Sequence, residues 1–105
     1  MSQNNIASAY AEAIFELAEE NDCLDDICYD LTDISNIFTA NPELTQLLTI
    51  PTLSKEEKIS VLEQVFVSYK GILFDFLCLL TERNRIAYIC EIESLFRKLY
   101  NQKNN

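Results

Sequence analysis

The chain has no histidine, no tryptophan, one glycine and two prolines among 105 residues. Without histidine there is no imidazole to act as general acid or base or to complete a mixed zinc site. A single glycine cannot build a phosphate-cradling loop. It also excludes a calcium loop of the EF-hand type, despite the acids of residues 19–33. So few turn-forming residues favour long helices over many short strands. Basic charge is missing from one whole half: residues 1–54 hold ten acids and no Lys or Arg, and all eight basic residues follow, against seven acids. The net charge of −9 and the empty basic half exclude a nucleic-acid binder, and an anionic membrane surface repels such a chain. A partner carrying basic residues is attracted to it.

Long apolar runs are missing too. The most apolar stretch, Ile72–Leu80, is far too short to span a bilayer and contains Asp75. Met1–Asn5 is polar, with no signal-peptide pattern. The expectation is one soluble domain over residues 1–105, with no direct membrane insertion. Cys23, Cys28, Cys78 and Cys90 have no CxxC spacing. Three of them fall within helical patterns, which reads as buried free thiols in a reducing compartment; a disulfide framework is the other reading. No cofactor, metal site or catalytic residue is expected, and the chain is read as a non-enzyme.

What is abundant is apolar periodicity, with 49% hydrophobic residues. In Ile6–Glu20, Ser8, Glu12, Glu16, Glu19 and Glu20 form one polar stripe at about 100° per residue. The rest of the circumference divides into two apolar faces. Ala7, Ala11, Ile14, Phe15 and Ala18 suit close packing against the chain's own helices, while Ile6, Tyr10, Ala13 and Leu17 form a second strip a quarter-turn away. Asn21-Asp22 is read as the end of this helix and the cap of the next, whose face is Leu24, Ile27, Cys28, Leu31, Ile34 and Phe38. Asn41 as N-cap and Pro42 at the first position open a short third helix with Leu44, Leu47 and Leu48, broken at Ile50-Pro51.

Ser54-Lys55-Glu56-Glu57 is a capping box for a fourth helix, continued by Ile59, Leu62, Val65, Phe66 and Tyr69 and read as ending at Lys70-Gly71. Ile72–Arg83 is apolar almost all round: Ile72, Phe76, Leu79 and Arg83 share one strip, and Leu73, Leu77 and Leu80 an adjacent one. After a turn at Asn84-Arg85, Ile89, Ile92, Leu95, Phe96 and Leu99 give a sixth helix with Glu91, Glu93, Arg97 and Lys98 on its outer face. The architecture expected is all-α, a compact six-helix bundle. The first and fifth helices carry more apolar surface than a core wall needs. Either they are the central helices, or their spare strips form an interaction groove.

Four segments, in order, resemble the delta subunit of F-type ATP synthases, whose mitochondrial relative is the oligomycin sensitivity conferral protein. Tyr10–Ala18, YAEAIFELA, is similar to the family's R-Y-A-x-A-L-F-x-L-A. Asn41–Leu44 matches N-P-E-L, Pro51–Lys58 is similar to P-x-(I/L)-x-x-x-x-K, and Leu79–Ile86 to L-L-x-E-N-x-R-(L/I). Two departures stand out: Ser8-Ala9 lies where a basic residue is common before the Tyr, and Arg83 where Asn is usual.

The resemblance implies an N-terminal domain of a stator subunit, a peripheral part of a complex on the cytoplasmic face of the inner (plasma) membrane. It implies binding of the N-terminal amphipathic helix of an α subunit between the first and fifth helices, by Ile6, Tyr10, Ala13 and Leu17 facing Ile72, Phe76, Leu79 and Arg83. This links the catalytic head to the peripheral stalk and resists rotation during proton-driven ATP synthesis. The b subunits of the stalk are expected to bind through a C-terminal domain that is absent after Asn105. The competing readings are a free-standing six-helix adaptor that pairs with like domains through charged patches, and a small acidic carrier or enzyme fragment. The latter needs a modifiable Ser in an Asp-Ser-Leu setting or a buried ionisable group, and neither is visible in the sequence.

Overall fold

The computed structural model describes residues 4–69 and 71–104, with the side chain of Asn4 left out. Among the described residues there are six α-helices and no strand: α1 (Asn4–Glu20), α2 (Leu24–Ala40), α3 (Pro42–Thr49), α4 (Lys55–Val65), α5 (Ile72–Glu82) and α6 (Ile89–Lys103). A 3-10 turn over Ile86–Tyr88 joins α5 to α6. The all-α, six-helix expectation therefore holds.

α6 is the spine. α1 and α2 both pack along it, α4 packs on α5, and α3 meets the 3-10 turn. α1 runs parallel to α6, with Phe15 edge-on to Phe96 at 5.5 Å between ring centres and Lys103 paired with Glu19 at 2.9 Å. α2 runs antiparallel to α6: Tyr100 Oη donates to Asp25 Oδ1 at 2.6 Å near one end, and Cys90 lies against Ser35 near the other. The core takes the residues whose periodicity marked them: Ala7, Ala11, Ile14 and Ala18 of α1, Leu31 and Ile34 of α2, Leu73, Leu77 and Leu80 of α5, and Ile89, Ile92 and Phe96 of α6. Each fully buried Leu or Ile contributes about 1.5–3 kcal/mol.

One charge enters this core, against the expectation that put Glu93 on the outer face of α6. Glu93 is buried, and its carboxylate accepts hydrogen bonds from Arg97 and from Thr32 Oγ1, so it is paired rather than stranded. All four cysteines are free, but each is only half-buried, because the helix faces around them are partly open to water.

The helix ends depart from the sequence reading in instructive ways. The capping box at Ser54 and Glu57 forms, with both reciprocal bonds present. Asn41 does occupy the N-cap of α3, yet its amide donates back to the Ile37 carbonyl at 2.9 Å. Asn21 does likewise to Leu17 at 2.8 Å, and the N-cap of α2 is Cys23, not Asp22. The orphan carbonyls at a helix C-terminus compete for the same side chains as the orphan N–H groups that follow.

α4 stops at Val65 rather than at Lys70-Gly71. Leaving the helix there turns the Phe66 ring onto Phe38, stacked at 5.5 Å. Gly71, at φ 75°, opens α5 instead of closing α4, and Lys70 lies outside the described residues.

Candidate functional site

α1 and α5 run antiparallel and touch little, because each is held from behind by a different neighbour, α6 and α4. Where they come closest, the Tyr10 ring meets Phe76 edge-on at 6.2 Å. Around that contact the helices leave an apolar groove of about 390 Å³, lined by Tyr10, Ala13, Ile14, Leu17, Ile72, Asp75, Phe76, Leu79 and Arg83. An adjoining cleft of about 420 Å³ extends it past Asn5, Ile6 and Ala9 to Arg85, sharing Tyr10, Ala13 and Arg83.

Of the eight residues singled out in the sequence, seven line the groove and Ile6 lines the adjoining cleft. Arg83 stands at the end where the two meet, and the rest are floor or wall. Tyr10 (9% exposed) and Phe76 (7%) form its floor, while Ala13 and Leu17 (41% exposed) and the half-buried Ile6, Ile72 and Leu79 form its walls. Exposed apolar side chains set beside a buried apolar floor leave the groove as unsatisfied hydrophobic surface. Ala13 keeps it deep, since a larger side chain there would occupy the space between the helices.

The groove is apolar in the middle and charged at its ends. At one end Arg83 Nη1 and Arg85 Nη1 both donate to the Tyr10 phenol oxygen, at 3.3 and 3.4 Å, and the Arg85 guanidinium carbon lies 5.8 Å from the ring centre. Burial by itself raises the Tyr10 pKa, but the two hydrogen bonds and the two positive charges outweigh it and hold the phenol below its ordinary value.

The turn that delivers these arginines is built by the backbone. Asn84 adopts the left-handed conformation (φ 57°), Arg85 N–H donates to the Leu80 carbonyl at 2.7 Å, and Asn84 N–H donates to Thr81 at 3.0 Å. Asn is among the few residues that take this conformation at little cost, so the side chain of Arg83 is left free to reach Tyr10. Sequence reasoning missed Arg85 and Asp75. Asp75 is one acid inside an otherwise apolar run, and Arg85 follows a chain reversal that helical periodicity cannot track. The Asn84-Arg85 pair beside an apolar strip was the available signal.

Other clefts differ in kind. One of about 600 Å³ lies where α1 ends and α2 begins, and is lined by Glu19, Asp22, Asp25, Asp26 and Lys103 among others. It is a solvated, mostly acidic crevice. Among the described residues no group of His, Cys, Asp and Glu could hold a metal ion, and no helix is long and apolar enough to cross a membrane.

The fold is held together behind α1 and α5 and left open between them. The family model for the ATP synthase delta (OSCP) subunit matches residues 6–105, and the chain belongs to that family. The chain is 35% identical to ATP synthase subunit delta of Bacillus mycoides (strain KBAB4), over all of this chain and 58% of that one. It is 31% identical to the subunit named as sodium ion specific from Ilyobacter tartaricus, over 99% of this chain and 60% of that one. With the Clostridioides difficile (strain 630) subunit it shares 34% over 97% of this chain and 58% of that one. The chain therefore spans a little under two thirds of the length of these curated relatives.

Proposed function

We propose that this domain is the part of an ATP synthase stator that grips the catalytic head, with the N-terminal amphipathic helix of an α subunit lying in the groove between α1 and α5. The observation that carries this reading is the groove itself: Ala13, Leu17 and Leu79 keep apolar surface open along both walls of a trough floored by Tyr10 and Phe76. A third helix laid there meets anchors at helical spacing on both walls. The seated helix and groove bury about 1,200 Å² in total, near the low end of specific interfaces. A few central anchors then dominate the affinity.

The mechanism is mechanical. Torque from the rotor tends to turn the head, and the domain resists by holding on, so slow dissociation of the helix matters more than any chemistry. The role is the same whichever ion drives the rotor. In this reading the subunit is a peripheral member of a membrane-bound complex on its cytoplasmic side. The b subunits of the stalk are held through the part of such subunits that this chain does not span.

The test is titration of a synthetic α N-terminal peptide into the domain, followed by residue-resolved NMR shifts. Shifts are expected to concentrate on Ala13, Leu17, Ile72 and Leu79. Leu79→Asp and Leu17→Asp are each expected to weaken binding at least about a hundredfold, as loss of a central anchor does, with helicity unchanged. Full binding by both variants moves the site elsewhere on the surface.

A further inference from the structure

The basic end of the groove has an unmet charge requirement. Arg83 and Arg85 are drawn to one phenol oxygen, which places two like charges side by side. The chain offers 17 acidic residues, yet among the described residues neither arginine has a carboxylate within 4.0 Å; the two ion pairs present use Arg97 and Lys103. Each guanidinium makes one long bond to a neutral oxygen, and the rest of its donor fork has no side-chain acceptor among the described residues. Tyr10 accepts from both, so its own proton points away from them, and no described residue takes it.

Three sets of donors thus converge at the rim of an apolar trough. Asp75 lines the other end, eight residues back along α5, or about 12 Å at helical rise. The groove is electrically asymmetric along its length.

We propose, building on the groove reading above, that Arg83, Arg85 and Tyr10 form a carboxylate receptor, and that the helix in the groove bears an Asp or Glu beside its apolar stripe at this end. A guanidinium fork matches a carboxylate in two parallel bonds, and the Tyr10 hydroxyl supplies a further donor. The phenol acts as a spacer: by accepting from both arginines it holds their planes over the rim before the partner arrives, which lowers the ordering cost of binding. The apolar trough supplies the attachment, and the receptor sets its register and direction. A carboxylate shifted toward Asp75 is repelled, so a helix docked the wrong way round is disfavoured.

The experiment is a double-mutant cycle. The wild-type domain, the Arg83→Gln/Arg85→Gln variant and Tyr10→Phe are titrated with the α N-terminal peptide and with a series in which each Asp or Glu is changed singly to Asn or Gln. One peptide substitution is expected to weaken wild-type binding about tenfold, as loss of a charge-assisted pair does. In the double variant the same substitution is expected to matter by no more than about twofold. Tyr10→Phe, which keeps the ring, is expected to fall between. Raising the salt should shrink the effect.

Because backbone bonds hold the Asn84 turn, the arginine substitutions are expected to leave helicity and melting intact, and circular dichroism checks this. Equal affinity for every carboxylate-to-amide peptide, or a loss that persists in the double variant, overturns the receptor while leaving the groove in place. Wild-type protein that binds no peptide at all overturns both. So does a groove found filled by a second copy of the domain, read as a dimer mass in sedimentation.

Discussion

Along α1, Ala7, Ala11 and Ala18 are sealed from solvent on the side that packs on α6, whereas Ala13 stands open to water beside α5. The residue type is the same and the use is opposite. On the closed side a small side chain lets two helix axes approach and bury Ile14 between larger neighbours. On the open side it keeps a space from being filled. α5 repeats the division, with Leu73, Leu77 and Leu80 sealed and Leu79 at the rim. Apolar periodicity alone marks both faces equally; which one stays open is decided by where the supporting helices sit, α6 behind α1 and α4 behind α5.

The widest separation between the two sides comes from enlarging one alanine on each. Ala11→Phe places a ring where close packing leaves no room and is expected to cost about 3 kcal/mol or more. Ala13→Phe adds the same ring to an open trough and is expected to change stability by no more than about 0.5 kcal/mol. It should nevertheless block the groove and weaken peptide binding at least about tenfold, because the ring displaces a central contact. Thermal unfolding and peptide titration on the same two variants measure both. A large fall in melting temperature for Ala13→Phe would place Ala13 in the core and remove the contrast.

A smaller effect separates the two sides of α5. Thr81 is buried on the closed side, and its hydroxyl oxygen has no hydrogen-bond partner among the described residues. Val has nearly the same shape and no polar atom, so Thr81→Val is expected to stabilise the fold by about 1 kcal/mol, the cost of leaving a buried hydroxyl unpaired. Peptide binding should be unchanged, since Thr81 does not line the groove. Chemical denaturation gives the first number and titration the second. Destabilisation would mean that the hydroxyl has a partner, such as a buried water.

How far the sequence carries a reader depends on what kind of signal each feature leaves. The helices and their inward faces follow from spacing: Leu31 and Ile34, or Ile89, Ile92 and Phe96, could hardly face anywhere else. The Ser54–Glu57 box is local and was legible for that reason. The two strips that line the groove were legible as surplus apolar surface, but that surplus fitted central helices equally well until the positions of α4 and α6 were known. What the sequence hid lies where the chain turns. Asp22 and Asn84 both take left-handed backbone (φ 54° and 57°), and Asn21 and Asn41 bond backward rather than forward. A polar residue at a helix junction can serve either side, and only the three-dimensional path decides. Arg85 was hidden for the same reason, and with it the electrostatics of the groove.

The slightest expected effect tests that electrostatic side directly, and it compares Tyr10 with the tyrosines on the acidic part of the surface. Tyr69 is pushed up by burial and then by Asp33 and Asp30, and Tyr100 is pushed up by its hydrogen bond to Asp25. Tyr10 is displaced the other way, because Arg83 and Arg85 overcome the effect of its burial. An alkaline titration followed by phenolate absorbance or NMR should therefore show Tyr10 ionising before Tyr69 and Tyr100. Tyr10→Phe should delete that early step, and Arg83→Gln/Arg85→Gln should move it to higher pH.

The sign for stability follows from linkage. A phenol whose folded-state pKa lies below its unfolded value favours the folded state only once it ionises, so the gain is absent at neutral pH and arrives as pH climbs through the folded value toward the usual tyrosine range. Tyr10 ionising together with or after Tyr69 would mean that the arginines do not hold the phenol in solution. The two guanidinium groups would then be charged but not held in place over the rim, and a partner helix would have to order them as it docks.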